Sequence, residues 1–131
     1  MTTLVLDAGA LIALDRNDRG IWAMIKAAAV DKHDIQVPAG AIGLAWRSGA
    51  RQALLACALE HCDEVALDGP GARAAGLLCG QARTSDVIDA SVALTAAGAA
   101  RRGSTAVLTS DAPDIRALLS VLSSPAVVVG V

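Results

Sequence analysis

Four aspartates stand where carboxylates can do chemistry. Asp7 follows the apolar run Leu4-Val5-Leu6, and Asp111 follows Thr105-Ala106-Val107-Leu108-Thr109 by two positions. A short unbroken apolar run reads as a strand buried on both faces of a parallel sheet. Open α/β sheets place their ligands beyond the carboxyl ends of such strands. Asp86 and Asp89 stand three apart at the head of a long helical pattern, on one helix face. Asp7 can equally be the N-cap of the next helix, and Asp86 a first-turn acid that complements the helix dipole. Asp89 suits that role less well. It sits among Ile88, Ala90, Val92 and Ala93, all of buried type, and a carboxylate there needs a strong partner. Among other acids, that partner is a divalent cation. Asp114 reads as a helix-start acid.

An all-oxygen site without His or Cys favours Mg²⁺ or Mn²⁺ over zinc. Such an ion orients water and offsets charge during attack on a phosphate ester. Asp7 and Asp111 meet only if the first and fourth strands are neighbours, which would place them at a topological switch point. No GxxxxGK[ST] or GxGxxG occurs, so a nucleotide-binding loop is not supported. Arg47 and Arg51, one helical turn apart, can face an RNA backbone or an acidic partner segment, or form a solvated surface. Arg101 and Arg102 belong to a helix end, where positive charge suits the dipole.

The elements that position these residues follow from periodicity and punctuation. Helical patterns cover Ala8 to Leu14, Gly20 to Val30, Ala39 to Trp46, Ala50 to Cys62, Ala72 to Gln81, Asp86 to Ala99 and Asp114 to Leu122. Strand patterns cover Thr3 to Asp7, Asp34 to Val37, Glu64 to Leu67, Thr105 to Thr109 and Ala126 to Val129. Asp68-Gly69-Pro70-Gly71 reads as a turn, and Thr84-Ser85 as the N-cap of the long helix. Alternation of strand and helix predicts a three-layer α/β fold with a parallel sheet, in one domain over 1–131.

Composition narrows the function. Hydrophobic residues make up 54% of 131 positions, and charged residues only 18%, so the chain is globular. Phe and Tyr are absent and Trp22 and Trp46 are the only aromatics, which argues against a base-stacking single-strand binder. A net charge of -2 gives no general attraction for nucleic acid, though a bound cation can invert the local charge. Cys57, Cys62 and Cys79 form no CxxC pair, so reduced thiols in a cytoplasmic protein are expected. No signal peptide is read at the N-terminus, and no apolar run approaches the ~20 residues of a membrane span.

The stretch Leu4-Val5-Leu6-Asp7-Ala8-Gly9-Ala10-Leu11-Ile12-Ala13-Leu14, then Thr84-Ser85-Asp86-Val87-Ile88-Asp89-Ala90, then Leu108-Thr109-Ser110-Asp111, resembles the successive motifs of PIN-domain ribonucleases. The nearest subgroup is the VapC-type toxins of bacterial toxin–antitoxin pairs, and the resemblance spans essentially the whole chain. It implies a PIN-like α/β/α fold with a five-stranded parallel sheet and a Mg²⁺- or Mn²⁺-dependent endoribonuclease. It also implies an RNA substrate, a homodimer and a cognate antitoxin that occupies the active site. By position, Asp7, Asp89 and Asp111 match the family's first, third and fourth acids, and Asp86 an extra acid often found before the third. The chain departs from the pattern at the second acid. The family carries it, commonly as Glu, on the helix after the second strand, yet no Asp or Glu occurs between Pro38 and Leu59. Leu44, or a small neighbour, holds that place. Asp86 substitutes for it, one metal suffices, or activity is weak or absent.

Rival chemistries fare worse. Haloacid-dehalogenase-type phosphatases want a second Asp two residues after the first, where this chain has Gly9. Receiver domains want a late Lys, and the only lysines are Lys26 and Lys32. The remaining alternative is non-catalytic: a PIN-like module that only binds its antitoxin or RNA.

Overall fold

The computed structural model describes residues 2–131. Five strands form one all-parallel sheet: β1 (Thr3–Leu6), β2 (Asp34–Pro38), β3 (Asp63–Val65), β4 (Thr105–Thr109) and β5 (Val127–Gly130). Their order across the sheet is β3-β2-β1-β4-β5. The chain thus steps outward from β1 through β2 to β3, then returns to the other side of β1. β1 and β4 are neighbours, with Thr3 opposite Thr105 and Leu6 opposite Leu108. Beyond their carboxyl ends the connections diverge, which opens the crevice expected of a switch point.

Seven α-helices cover the two faces: α1 (Ala8–Asp15), α2 (Arg19–Val30), α3 (Ala39–Ala45), α4 (Ala53–Leu59), α5 (Gly69–Ala82), α6 (Val87–Ala100) and α7 (Ala112–Val121). Period-two alternation along β1 divides the core. Leu4 and Leu6 pack with α1–α4, while Val5 packs with α5–α7. Both layers are built from Leu, Ile, Val and Ala, with Trp22 as the one buried ring, its indole N–H donating to the Leu14 carbonyl at 2.9 Å. Among the described residues, no helix is long and apolar enough to cross a membrane.

Local chemistry moves several boundaries. Asp68-Gly69-Pro70-Gly71 is the start of α5, not a turn. Asp68 accepts the Gly71 N–H at 2.8 Å, and Pro70 falls in the first turn, where a missing N–H leaves no gap. β3 comes earlier than its apolar residues suggest, because Gln36 to Pro38 pair with Asp63 to Val65. The helix read over Ala50 to Cys62 is two pieces, a 3-10 turn over Gly49–Arg51 and then α4. Gln52 accounts for the break. Its buried carbonyl oxygen accepts the N–H groups of Arg47 (2.7 Å) and Ser48 (2.9 Å). Its amide donates to the Ala45 carbonyl at 2.9 Å and to Asp15 at 3.3 Å. One side chain thereby satisfies the bend after α3 and ties it to the end of α1.

Replacing Gln52 with Ala leaves two N–H donors and a carbonyl unpaired next to a cavity, each orphan worth roughly 1–3 kcal/mol. A loss of at least ~2 kcal/mol in urea unfolding is expected. A loss below ~0.5 kcal/mol, the range of ordinary surface substitutions, would show that the bend holds itself.

Candidate metal centre

Three helices aim their N-termini at the β1/β4 crevice, and each has an aspartate at its cap. Asp7 caps α1, Asp86 caps α6 and Asp111 precedes α7. Unpaired N–H groups and the helix dipoles make this a place where negative charge is tolerated and anions are received.

Asp7 serves structure and site at once. One carboxylate oxygen accepts the Ala10 N–H at 3.0 Å, and the other accepts the Thr109 hydroxyl. It is only 4% exposed. Burial raises its carboxyl above the usual range, against hydrogen bonds from Thr109, Ala10, Gly9 and Ser110 that pull it down. Thr109 is fully buried, and its hydroxyl oxygen also accepts the Asp111 N–H at 2.9 Å. A single hydroxyl therefore links the acid that ends β1 to the backbone that leaves β4. Gly9 lets the two segments approach, since a Cβ there would stand 2.0 Å from the Ser110 hydroxyl oxygen and 3.0 Å from its backbone nitrogen.

Asp86 caps α6 by accepting the Asp89 N–H at 2.9 Å, displacing the Thr84-Ser85 cap read from sequence. Asp89 is half-buried and carries the strongest perturbation of the crevice: its carboxyl is pushed up to about 7. Burial is the main cause, followed by a hydrogen bond with Asp111 and the charges of Asp86, Asp111 and Asp7. Asp111 makes no side-chain cap bond to α7, so its carboxylate is free to face the other acids. The Asp111 charge and a hydrogen bond with it raise the exposed Asp114 carboxyl. Carboxylate oxygens of Asp89, Asp111 and Asp114 all lie within 4.8 Å of one another.

Asp7, Asp86, Asp89 and Asp111 thus all border one crevice, but the tightest trio takes in Asp114, which sequence reading leaves as a helix-start acid. The signal was available: Asp111 and Asp114 repeat the three-residue spacing of Asp86 and Asp89. Thr109 was also missed, because its role depends on which strand lies beside β1. The donor set fits a hard divalent cation, being carboxylates alone with no His or Cys.

Leu44 lies on the side of α3 that meets α6. A Cβ at Gly40 would stand 2.3 Å from Ile88 Cδ1, and Leu44 is one turn further along that face. It is 49% exposed, and α3 contains no Asp or Glu that could reach the crevice. Arg47 and Arg51 do not share a helical turn. Arg47 sits at a bend past α3, its guanidinium donating to the carbonyls of Gly43 (3.1 Å) and Trp46 (2.8 Å), while Arg51 ends the 3-10 turn.

No family model and no curated protein matches the sequence. A similar solved structure is VapBC2 from Rickettsia felis bound to a DNA fragment from their promoter. The match covers 100% of this chain and 99% of that one, with a TM-score of 0.61 and 12% identity. The chain therefore shares its fold with a component of that complex.

The raised Asp89 carboxyl sets a pH dependence. Folded, it keeps its proton up to about 7, whereas its ordinary value is 3.8. The folded state binds more protons across that window, so the contribution favours folding below about pH 4 and is lost as pH rises toward 7. In EDTA the melting temperature should fall between about pH 5 and pH 7.5, and Asp89→Asn should flatten the fall. If Asp89→Asn instead melts well below the parent at about pH 5, where the parent is protonated, Asp89 is an ordinary structural hydrogen-bonding residue.

Proposed function

We propose that this chain is a divalent-metal-dependent endoribonuclease of the PIN type, the toxin half of a toxin–antitoxin pair, acting as a homodimer. The carrying observation is the convergence of Asp7, Asp86, Asp89, Asp111 and Asp114 on the β1/β4 switch point, where Asp89 feels the charges of three of the others. The full-length fold match to the VapBC2 complex supports the family and an antitoxin partner. The motif series around Asp7, Asp89 and Asp111 supports RNA as the substrate.

In this reading Asp89, Asp111 and Asp114 would hold Mg²⁺ or Mn²⁺, with Asp7 and Asp86 adding negative charge to the crevice. When bound, such an ion supplies a more acidic water and offsets charge on the phosphate under attack. Asp89, whose carboxyl is pushed up to about 7, would have to be deprotonated to hold a cation, so binding near neutrality would release protons. Thr109 holds Asp7 in one orientation throughout. The positive dipole ends of α1, α6 and α7 offset negative charge brought into the crevice.

A second reading has a specific observation behind it. By the motif resemblance Leu44, an exposed aliphatic, or a small neighbour holds the place of the family's second acid, which favours a weak or inactive PIN-like module that binds RNA or antitoxin without cutting.

A labelled single-stranded RNA incubated with Mn²⁺ separates them. Cleavage by the parent, abolished in EDTA and reduced at least ~100-fold by Asp111→Asn, is expected for a metal-dependent hydrolase. Leu44→Glu should raise the rate or tighten Mn²⁺ binding. A folded parent that binds the RNA yet leaves it intact at every Mn²⁺ concentration would establish the binding module. If Leu44→Glu folds and changes neither quantity, position 44 does not face the site.

A further inference from the structure

We propose that a groove at the β3 edge of the sheet docks an extended peptide segment carrying apolar residues flanked by Lys or Arg. The groove has a volume of about 540 Å³ and is lined by Ile42 and Trp46 from α3 and its end, Ala56, Leu59 and Glu60 from α4, and Glu64 from β3. It is separate from the β1/β4 crevice and does not depend on the reaction performed there.

Three observations define the occupant. First, the floor is apolar and carries a pre-set aromatic anchor. Trp46 is 39% exposed in a chain with only two aromatic residues. Its main-chain N–H donates to the Ile42 carbonyl at 2.8 Å and Arg47 donates to its main-chain carbonyl, while its ring lies against Gly49, where a Cβ would stand 2.9 Å from it. A rigid, half-exposed Trp beside a groove is the type of residue that dominates binding energy at interfaces. Second, the rim is acidic. Glu60 and Glu64 line the groove and exposed Asp63 adjoins it in sequence, while the Arg47 guanidinium beside Trp46 is engaged by the Gly43 and Trp46 carbonyls. The field is felt locally: burial first, then the charges of Asp63 and Glu64, push the neighbouring Cys62 thiol up to about 12. A Lys or Arg side chain complements that rim. Third, β3 pairs only with β2, which leaves its outer backbone edge open to an added strand. Strand addition supplies main-chain affinity, while alternate side chains supply specificity.

The test uses the full chain and fluorescein-labelled hexapeptides that alternate Lys with Leu, Glu with Leu, and Lys with Ser. The Lys/Leu peptide should bind at least tenfold tighter than either control, in a salt-sensitive manner. In ¹H–¹⁵N spectra it should shift the Trp46 indole signal and leave that of Trp22, which is buried against the Leu14 carbonyl. Glu60→Lys with Glu64→Lys, both exposed positions, should weaken the Lys/Leu peptide at least tenfold and admit the Glu/Leu peptide. Equal binding of the Lys/Leu and Lys/Ser peptides, indifference to the charge reversal, or an unmoved Trp46 signal would overturn the proposal. So would sedimentation of a dimer that already covers Trp46.

Discussion

The Thr109 hydroxyl is the contact on which the geometry of the crevice depends. It donates to Asp7 at the end of β1 and accepts the N–H of Asp111 as the chain leaves β4. Ladder hydrogen bonds join those two strands as far as Asp7, whose N–H donates to the Leu108 carbonyl at 3.1 Å, and the Thr109 hydroxyl adds the side-chain link that sets where the Asp7 carboxylate stands relative to Asp111. A buried, doubly bonded hydroxyl is a stiff spacer, because breaking either bond leaves an unsatisfied polar group out of reach of water. Gly9 is the matching concession. The first turn of α1 lies so close to Ser110 that a methyl group has no room, which presses the capping turn of Asp7 against the segment that carries Asp111.

What this spacer holds together repels. Two unit charges at the separation of the Asp89 and Asp111 oxygens, up to 4.8 Å, oppose each other by about 3 to 4 kcal/mol at an effective dielectric near 20. The protein reduces that repulsion in two ways. Asp89 takes up a proton, as its elevated carboxyl records, and three helix N-termini supply partial positive charge. Protonation neutralises Asp89 alone, and only below about pH 7, and the helix termini leave the remaining charges in place. A cation that binds only the folded form removes them more fully and returns stability in proportion to its concentration over its dissociation constant. The crevice thus concentrates like charge that a divalent cation bound there would relieve.

Much of this was legible in the residues. Leu4-Val5-Leu6 and Ala106-Val107-Leu108 announce buried parallel strands, and their alternation with helices predicts the three-layer fold with its five-stranded parallel sheet. The PIN-like series of motifs agrees with the fold match to VapBC2. What escaped depended on partners distant in sequence or on competing local chemistry. Thr109 looks like any strand threonine until β4 is known to lie beside β1. Asp114 is a helix-start acid by every local rule, and only the unused side-chain cap of Asp111 brings it into a trio. Asp68-Gly69-Pro70-Gly71 carries the same residue types whether it makes a turn or a helix start. Gln52 gives no local sign that its amide will satisfy four backbone and side-chain partners.

Whether the β1/β4 crevice binds a divalent ion decides whether these aspartates form a metal centre. Substoichiometric Mn²⁺ broadens amide signals steeply with distance, so a ¹H–¹⁵N spectrum of the ¹⁵N-labelled chain locates the ion without reference to any reaction. Broadening should centre on Asp89, Ala90, Asp111 and Asp114, extend to Asp7 and Gly9, and vanish in Asp111→Asn. The exposed acids Glu60, Asp63 and Glu64 provide the internal comparison. Broadening centred on those three, or spread evenly over every acidic residue, would contradict a metal centre between β1 and β4.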